Sequence, residues 1–164
     1  MPSRRPAPEH TAAPAAEAWL ALDQQLCFAL YSASLAMTKM YKPLLEPLGL
    51  TYPQYLVMLA LWEQDDQNVS ALGQRLHLDS GTLTPLLKRL QLQGLVERSR
   101  DAADERRLRV TLTHAGRAIK ARALAVPQAV ACATACDLDQ IQRLTSELRQ
   151  LREQLATLSP AAAA

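Results

Sequence analysis

A change of hydrophobic period in the middle of the chain constrains the fold most. Up to Gly94, apolar residues recur at spacings of three and four, which is typical of helices. After Gly94, the runs 95–100 and 107–113 alternate apolar and polar residues, which indicates two strands joined by a polar tip at 101–106. The pattern therefore predicts a mainly α fold with a small β wing.

Two short helices precede the wing. Ser70 is a candidate cap for a helix over 71–76, and a tight connection at 77–81 leads to a second helix that ends near Gln93. Gly94 is well placed at its C-terminus, because glycine readily adopts the left-handed conformation needed there. Pro85 fits this helix if the first turn begins near Thr82. Together these elements predict a winged helix-turn-helix.

Longer helices flank this motif. We expect one from Trp19 to about Tyr41, ending near Pro43, and a central one over 53–63, where Thr51 and Gln54 form a capping box. Thr113 is expected to cap a helix that reaches about Ala125 and is interrupted by Pro127, and Asp137 to cap the last helix. That last helix carries an apolar seam of Leu138, Ile141, Leu144, Leu148, Leu151, Leu155 and Leu158.

The seam either packs against its own domain or meets a second chain, and we favour a homodimer built from the terminal helices. The expected organisation is a disordered arm at 1–16, a winged-helix domain at 17–158 and a disordered tail at 159–164. Within the domain, 17–50 and 114–158 are dimerisation helices, and 51–113 is the DNA-binding part, with its wing at 95–113.

Charge and cysteine content limit the classes of function. The net charge is only +2, so a nucleic-acid surface must arise from local arrangement. Three cysteines fit free thiols in a reducing cytoplasm. No apolar stretch is long enough to span a bilayer, so we expect no membrane partner. The histidines at 10, 77 and 114 lack ligand spacing, and no cofactor motif is present. We therefore expect no metal site, no cofactor and no enzymatic activity.

Chemistry concentrates around Cys27, because all four tyrosines lie between residues 31 and 55. Phenol hydroxyls that donate hydrogen bonds to sulfur stabilise a thiolate and make it reactive. Taken alone, the pattern also fits an inert thiol on an apolar helix.

The second helix of the motif offers contacts to DNA. Small polar side chains near its start can reach base edges, and later cations can hold phosphates; these residues are Ser80, Thr82, Thr84, Lys88 and Arg89. At the wing tip, Arg106 is placed to enter a minor groove, oriented by Asp104. The alternative is an exposed hairpin with mixed surface charge.

The motif Asp104-Glu105-Arg106, followed by Val110-Thr111-Leu112-Thr113 and Gly116, resembles the wing of MarR-family winged-helix repressors. Within that family, Cys27, Tyr31, Tyr41 and the segment 50–55 resemble the organic-hydroperoxide-sensing (OhrR) type. The resemblance covers about residues 19–158 and implies a peroxide-reactive Cys27 whose sulfur accepts hydrogen bonds from Tyr41 and Tyr52. It also implies that Tyr31 lines the site from the neighbouring subunit and that Cys132 is a resolving cysteine of the two-cysteine subclass.

The resemblance implies a homodimeric repressor that binds operator DNA when reduced and releases it when organic hydroperoxides oxidise Cys27. Cys136, one helical turn beyond Cys132, is a spare or structural thiol. Two other functions stay open: a regulator that responds to a small aromatic ligand, and a thiol peroxidase.

Overall fold

The computed structural model describes residues 19–100, 107–134 and 136–158. The chain divides into two compact units, residues 1–39 and residues 40–164. The expected arm at 1–16, tail at 159–164 and wing tip at 101–106 lie outside the described residues. Among the described helices, none is both long and apolar enough to cross a bilayer.

The first long helix, α1, spans Leu26–Leu45, so both predicted ends were wrong. A 3₁₀ turn at Leu22–Gln24 and an extended Gln25 precede it, and a 3₁₀ turn also produces apolar spacings of three. Pro43 lies inside the last turn rather than after it. A proline there removes only one helical hydrogen bond, and the fully buried Leu45 holds the turn against the core.

Helix α2 spans Tyr52–Glu63 and follows a 3₁₀ turn at Glu46–Leu48. The predicted capping box is confirmed, because Gln54 Oε1 accepts hydrogen bonds from the Thr51 backbone nitrogen at 2.8 Å and the Thr51 hydroxyl at 3.0 Å. The helix is central, as expected, because side chains around most of its circumference are buried: Gln54, Tyr55, Val57, Met58, Ala60 and Leu61.

The helix-turn-helix consists of α3 (Val69–Leu76) and α4 (Ser80–Leu92). The predicted cap at Ser70 was wrong: the Asn68 side chain caps α3 by accepting from the Ser70 nitrogen at 2.8 Å. Gly94 has φ +70°, as its predicted place at the end of α4 requires. The Gly94 and Leu95 amides donate to the Gln91 and Leu90 carbonyls, which closes the C-terminus.

The wing consists of antiparallel strands β2 (Val96–Arg100) and β3 (Leu108–Leu112), paired from Val96–Leu112 to Arg100–Leu108. A short strand, β1 (Gln67–Asn68), pairs with the other edge of β3, so the sheet order is β1-β3-β2. Nothing in the sequence marks this strand, because two residues are too few to show an alternating pattern.

The C-terminal region contains α5 (His114–Ala118), α6 (Lys120–Ala123), α7 (Ala125–Thr134) and α8 (Leu138–Leu158). Both predicted caps are confirmed: the Thr113 hydroxyl accepts from the Gly116 amide at 3.0 Å, and Asp137 Oδ1 from the Gln140 amide at 2.7 Å. Pro127 does not interrupt a helix, because it lies in the first turn of α7, where few amides have helical partners.

The core of the second unit fills the space between α2, the helix-turn-helix and the wing. Its fully buried side chains include Leu45, Val57, Met58, Leu61, Leu72, Leu83, Leu87, Leu90, Val96 and Val110. The spacing of Leu83, Leu87 and Leu90 places one face of α4 on this core. The opposite face of α4 therefore remains available to a partner.

Candidate functional site

Three tyrosines and a tryptophan form an aromatic cluster in the second unit. The ring centroids of Tyr41 and Tyr52 are 4.6 Å apart, and those of Tyr41 and Tyr55 are 6.0 Å apart. Trp62 stands edge-on to Tyr55 at 6.2 Å and donates a 2.9 Å hydrogen bond to the Gly116 carbonyl. The structure therefore brings together Tyr41 and Tyr52, the two phenols predicted to stabilise a thiolate.

Burial further disfavours ionisation of these phenols, which are neutral at physiological pH even in water. It raises the pKa of Tyr41, Tyr52 and Tyr55 above the ordinary value, and the neighbouring phenols raise the pKa of Tyr41 and of Tyr55 further. A phenol with a raised pKa stays protonated across the range in which thiols ionise. The pair can therefore act as hydrogen-bond donors toward an anion.

Cys27 and Tyr31 belong to the first unit, where they lie one turn apart on α1. Cys27 is a free, exposed thiol, and the Tyr31 side chain is 62% exposed. Leu26 and Leu35 on the same helix are also exposed. An exposed thiol among apolar side chains is accessible both to a small oxidant and to a second protein chain.

The other two cysteines lie near the connection between α7 and α8. Cys132 is an exposed free thiol on α7, whereas Cys136 is half-buried and lies beyond the end of that helix. The Cys136 sulfur donates to the Thr134 carbonyl at 3.3 Å. The expectation that Cys136 continues the helix of Cys132 by one turn was wrong, because α7 ends at Thr134.

Helix α4 presents the predicted DNA-contacting side chains outward. Ser80, Thr82, Lys88 and Arg89 are exposed, and Thr84 is half-buried. Asp79, which the sequence analysis did not identify, caps the helix by accepting from the Thr82 amide at 2.9 Å and the Thr82 hydroxyl at 2.8 Å. These hydrogen bonds lower the pKa of Asp79. The Thr82 hydroxyl therefore donates its proton to the Asp79 cap, and its oxygen remains available only as a hydrogen-bond acceptor.

The described part of the wing contains arginines with internal partners. Arg98 Nε donates to Gln91 Oε1 at 2.6 Å, which ties β2 to the end of α4. Arg109 Nε pairs with Asp66 Oδ1 at 2.7 Å. Asp104 and Arg106 lie outside the described residues, so their predicted role at the wing tip stays a prediction.

Asp65 joins the wing to the helices and was also missed by the sequence analysis. Its carboxylate accepts the Leu112 amide at 2.8 Å and pairs with Arg117 at 2.6 Å. Burial acts to raise the pKa of Asp65, but hydrogen bonds from the Leu112 and Asp66 amides and the Arg117 contact outweigh it and lower the pKa. No periodic signal marks such a residue, because its partners are 47 and 52 positions away.

Among the described residues, no group of three or more His, Cys, Asp or Glu side chains is arranged to hold a metal ion. An open apolar groove lies beside Leu44, Pro47, Leu48 and Val126, with Arg122 at its edge. Its volume of about 250 Å³ is below the roughly 300–1,000 Å³ typical of small-molecule sites.

Comparisons with known proteins agree on one class of protein. Residues 39–123 match the family model described as transcriptional regulator SarA/Rot. The chain is 45% identical over 137 residues to the organic hydroperoxide resistance transcriptional regulator of Bacillus subtilis (strain 168), a match that covers 84% of this chain and 88% of that protein.

Solved structures give the same result. Reduced AbfR bound to DNA, from Staphylococcus epidermidis, is 36% identical with a TM-score of 0.71, covering 87% of this chain and 99% of that one. A disulfide form of AbfR is 37% identical with a TM-score of 0.58, covering 85% and 98%. MarR, at 24% identity and a TM-score of 0.65, shares the fold over 81% of this chain and 99% of its own.

Proposed function

The chain belongs to the SarA/Rot family of transcriptional regulators, of the winged-helix MarR type, and we propose that it is a redox-sensing repressor. It binds operator DNA while Cys27 is reduced and releases it when organic hydroperoxides oxidise that thiol. The observation that carries this proposal is the closely packed pair Tyr41 and Tyr52, in a chain with an exposed Cys27 and 45% identity to an organic hydroperoxide regulator. As a DNA-binding regulator, it would act in the cytoplasm.

The phenols make the Cys27 sulfur a better nucleophile. By donating hydrogen bonds, Tyr41 and Tyr52 favour the Cys27 thiolate over the thiol, and Tyr31 of a neighbouring subunit lines the same site. The thiolate attacks the terminal oxygen of a hydroperoxide, the O–O bond breaks, and the alkoxide leaves as an alcohol after gaining a proton. The product is a Cys27 sulfenic acid, which is reversible.

A second thiol then forms a disulfide. The sulfenic acid condenses with the Cys132 thiol and releases water, and cellular thiols later restore both cysteines by exchange. The exposure of Cys132 favours it as the resolving residue over the half-buried Cys136. A non-reducing gel decides whether the link forms within or between chains, because only a link between chains joins two copies covalently.

The DNA-binding end uses the outward side of α4 and the wing. Ser80, Thr82 and Thr84 face base edges, and Lys88 and Arg89 hold phosphates. Arg106, oriented by Asp104, enters the adjacent minor groove. The exposure of Lys88 and Arg89 supports this assignment, as does the DNA-bound state of reduced AbfR.

A homodimer completes the proposal. Large apolar side chains are exposed on the terminal helices, among them Leu26 and Leu35 on α1 and Leu144, Leu148 and Leu155 on α8. Burying these faces against a second copy removes them from water and places two copies of α4 about one DNA turn, or roughly 34–36 Å, apart. The expected operator is therefore a pseudo-palindrome.

The decisive experiment compares Cys27→Ser with the parent in operator binding before and after one equivalent of cumene hydroperoxide. Fluorescence anisotropy should show release by the parent and retention by the variant, while Cys136→Ser as a control behaves like the parent. Release by Cys27→Ser equal to that of the parent would remove the sensor role and favour a regulator that responds to an aromatic ligand.

A turnover assay separates the sensor from a thiol peroxidase. A sensor consumes about one hydroperoxide per Cys27 when no reductant is present, and with dithiothreitol it cycles only as fast as the disulfide is reduced. Rapid catalytic consumption of hydroperoxide would support the enzyme instead.

A further inference from the structure

Two glutamine side chains join the start of α2 to the end of α4. We infer that Gln54 and Gln93 form the link through which the state of the sensor tyrosines reaches the recognition helix, an inference that rests on the proposed function. Gln54 lies in the first turn of α2, and Gln93 directly follows the last residue of α4. The two residues are 39 positions apart in the chain.

The link is a continuous chain of hydrogen bonds. The Thr51 amide donates to Gln54 Oε1 at 2.8 Å, Gln54 Nε2 donates to Gln93 Oε1 at 3.3 Å, and Gln93 Nε2 donates to the Gly49 carbonyl at 2.9 Å. A backbone N–H stands at one end and a backbone carbonyl at the other. These fixed partners determine the orientation of both amides, because either amide rotated by 180° would face a like group.

Burial makes the link costly to break on the α2 side. Gln54 is only 3% exposed and is one of two buried polar residues in the part of the chain that the structure describes. The side chain of the other, Gln67, donates to the nearby carbonyls of Ala60 and Gln64. Since a buried amide without partners costs free energy, Gln54 and its partners should move together.

The position of the link connects the proposed sensor to both DNA-contacting elements. Tyr52 is the first residue of α2, so its backbone lies between Thr51 and Gln54, which the network holds. On the α4 side of the network, Gln93 is followed by Gly94, whose carbonyl accepts the Thr113 hydroxyl at 2.6 Å at the base of the wing. A shift of the segment 49–54 is therefore transmitted to the junction between α4 and the wing.

Oxidation would act on this link through Tyr52. When the Cys27 thiolate becomes a sulfenic acid or a disulfide, the phenol loses its anionic acceptor and the start of α2 is free to shift. The amide chain carries that shift to Gln93, and α4 changes its angle to the DNA. Allosteric coupling requires such an element with two arrangements, each favoured by one state of the sensor.

The test is Gln93→Ala, which removes the exposed partner and leaves the buried one in place. The quantity measured is the ratio of operator Kd for the oxidised and the reduced protein. We expect Gln93→Ala to narrow this ratio by roughly tenfold, within the usual range of allosteric coupling. The rate of Cys27 sulfenic acid formation, followed with a dimedone probe, should equal that of the parent.

Gln64→Ala, which changes an exposed glutamine at the other end of α2, serves as the matched control and should keep the parental ratio. Should Gln93→Ala fail to fold by circular dichroism, Gln93→Met replaces it, because methionine keeps the length of the side chain but lacks the amide that accepts from Gln54 and donates to Gly49. A parental ratio in the folded Gln93 variant overturns the link. A parent that does not release DNA on oxidation instead overturns the proposed function.

Discussion

Tyr52 combines three properties that follow from its position. It begins α2, packs against Tyr41 with the rings tilted and their centroids 4.6 Å apart, and has a pKa raised by burial. A solvated phenol would offer the same donor, but its direction would not be fixed. The capped helix start fixes the backbone of Tyr52, so its phenol can favour one particular sulfur.

We expect Tyr52→Phe to slow the alkylation of Cys27. Removing a hydrogen bond to an anion costs about 1.5 kcal/mol, so the reaction rate of the sulfur at neutral pH should fall by roughly tenfold. The rate of iodoacetamide alkylation at neutral pH measures this effect in a background of Cys132→Ser and Cys136→Ser, where only Cys27 reacts. Tyr55→Phe is the control, since that buried phenol has no proposed role at the sulfur. Equal alkylation rates for the two variants would contradict the prediction.

Asp65→Asn should destabilise the folded protein most at neutral pH. The pKa of Asp65 lies below the ordinary value of 3.8, so the stabilising contribution of its carboxylate is complete above that pH and is lost as the pH falls through the lower folded value. We expect the free energy of unfolding to fall by about 1–3 kcal/mol at pH 7, because charged hydrogen bonds to Leu112 and Arg117 are removed. This decrease should become smaller toward pH 3.

Urea denaturation at both pH values, at one fixed protein concentration, measures this effect. Asp139→Asn on the exposed first turn of α8 should change stability little at either pH. A loss for Asp65→Asn that does not vary with pH would show that the carboxylate charge contributes nothing.

Helices and strands were predictable where the signal is local. The capping box at Thr51, the caps at Thr113 and Asp137 and the left-handed Gly94 all follow from side chains within a few positions of the residue they satisfy. Strand β1 and the extension of α1 through Pro43 were not predictable, because distant pairing and burial outweigh local preference there. The same limit explains why the Gln54–Gln93 and Asp65–Arg117 contacts were missed.

The close packing of α5 on the base of the wing predicts that Gly116→Ala is severely destabilising. A Cβ at position 116 would overlap the Leu95 carbonyl oxygen, which also accepts the Thr113 amide at 3.1 Å. The clash would be between the backbone of Leu95 and a Cβ fixed to the helix backbone, so neither side can adjust easily. We therefore expect the free energy of unfolding to fall by at least about 3 kcal/mol.

Chemical denaturation followed by tryptophan fluorescence measures this loss, because the indole of Trp62, one of the two tryptophans, donates to the Gly116 carbonyl. Ala115→Gly on the exposed side of the same helix should cost no more than about 1 kcal/mol. Similar losses for both variants would mean that helix propensity, rather than close approach, determines the effect.

For the whole molecule, the exposed leucines of α8 test the dimer. Leu148 is 49% exposed in the single chain, and in a symmetric dimer each copy would be covered. Leu148→Glu places a charge in that interface twice, so the dimer Kd should rise by at least about a hundredfold, or about 3 kcal/mol. Sedimentation velocity at micromolar concentration measures the dissociation, and operator affinity should fall with it. Gln150→Glu lies on a different face of α8 and should remain dimeric; monomerisation of both variants would point to general repulsion.

Cys132 is the cysteine expected to resolve the oxidised Cys27. A disulfide requires the two Cα atoms to lie within about 7 Å, so the partner of Cys27 must be a thiol that can approach it. Cys132 is exposed on a regular helix, whereas Cys136 is half-buried and donates to the Thr134 carbonyl. We therefore expect Cys132→Ser to abolish the disulfide that peroxide produces, seen as a band of changed mobility on a non-reducing gel, and Cys136→Ser to preserve it. Mass spectrometry of the parent should identify a peptide pair containing Cys27 and Cys132. A Cys27–Cys136 pair would instead require the segment between α7 and α8 to rearrange during oxidation. Cys132 would then be a surface thiol with no part in the disulfide.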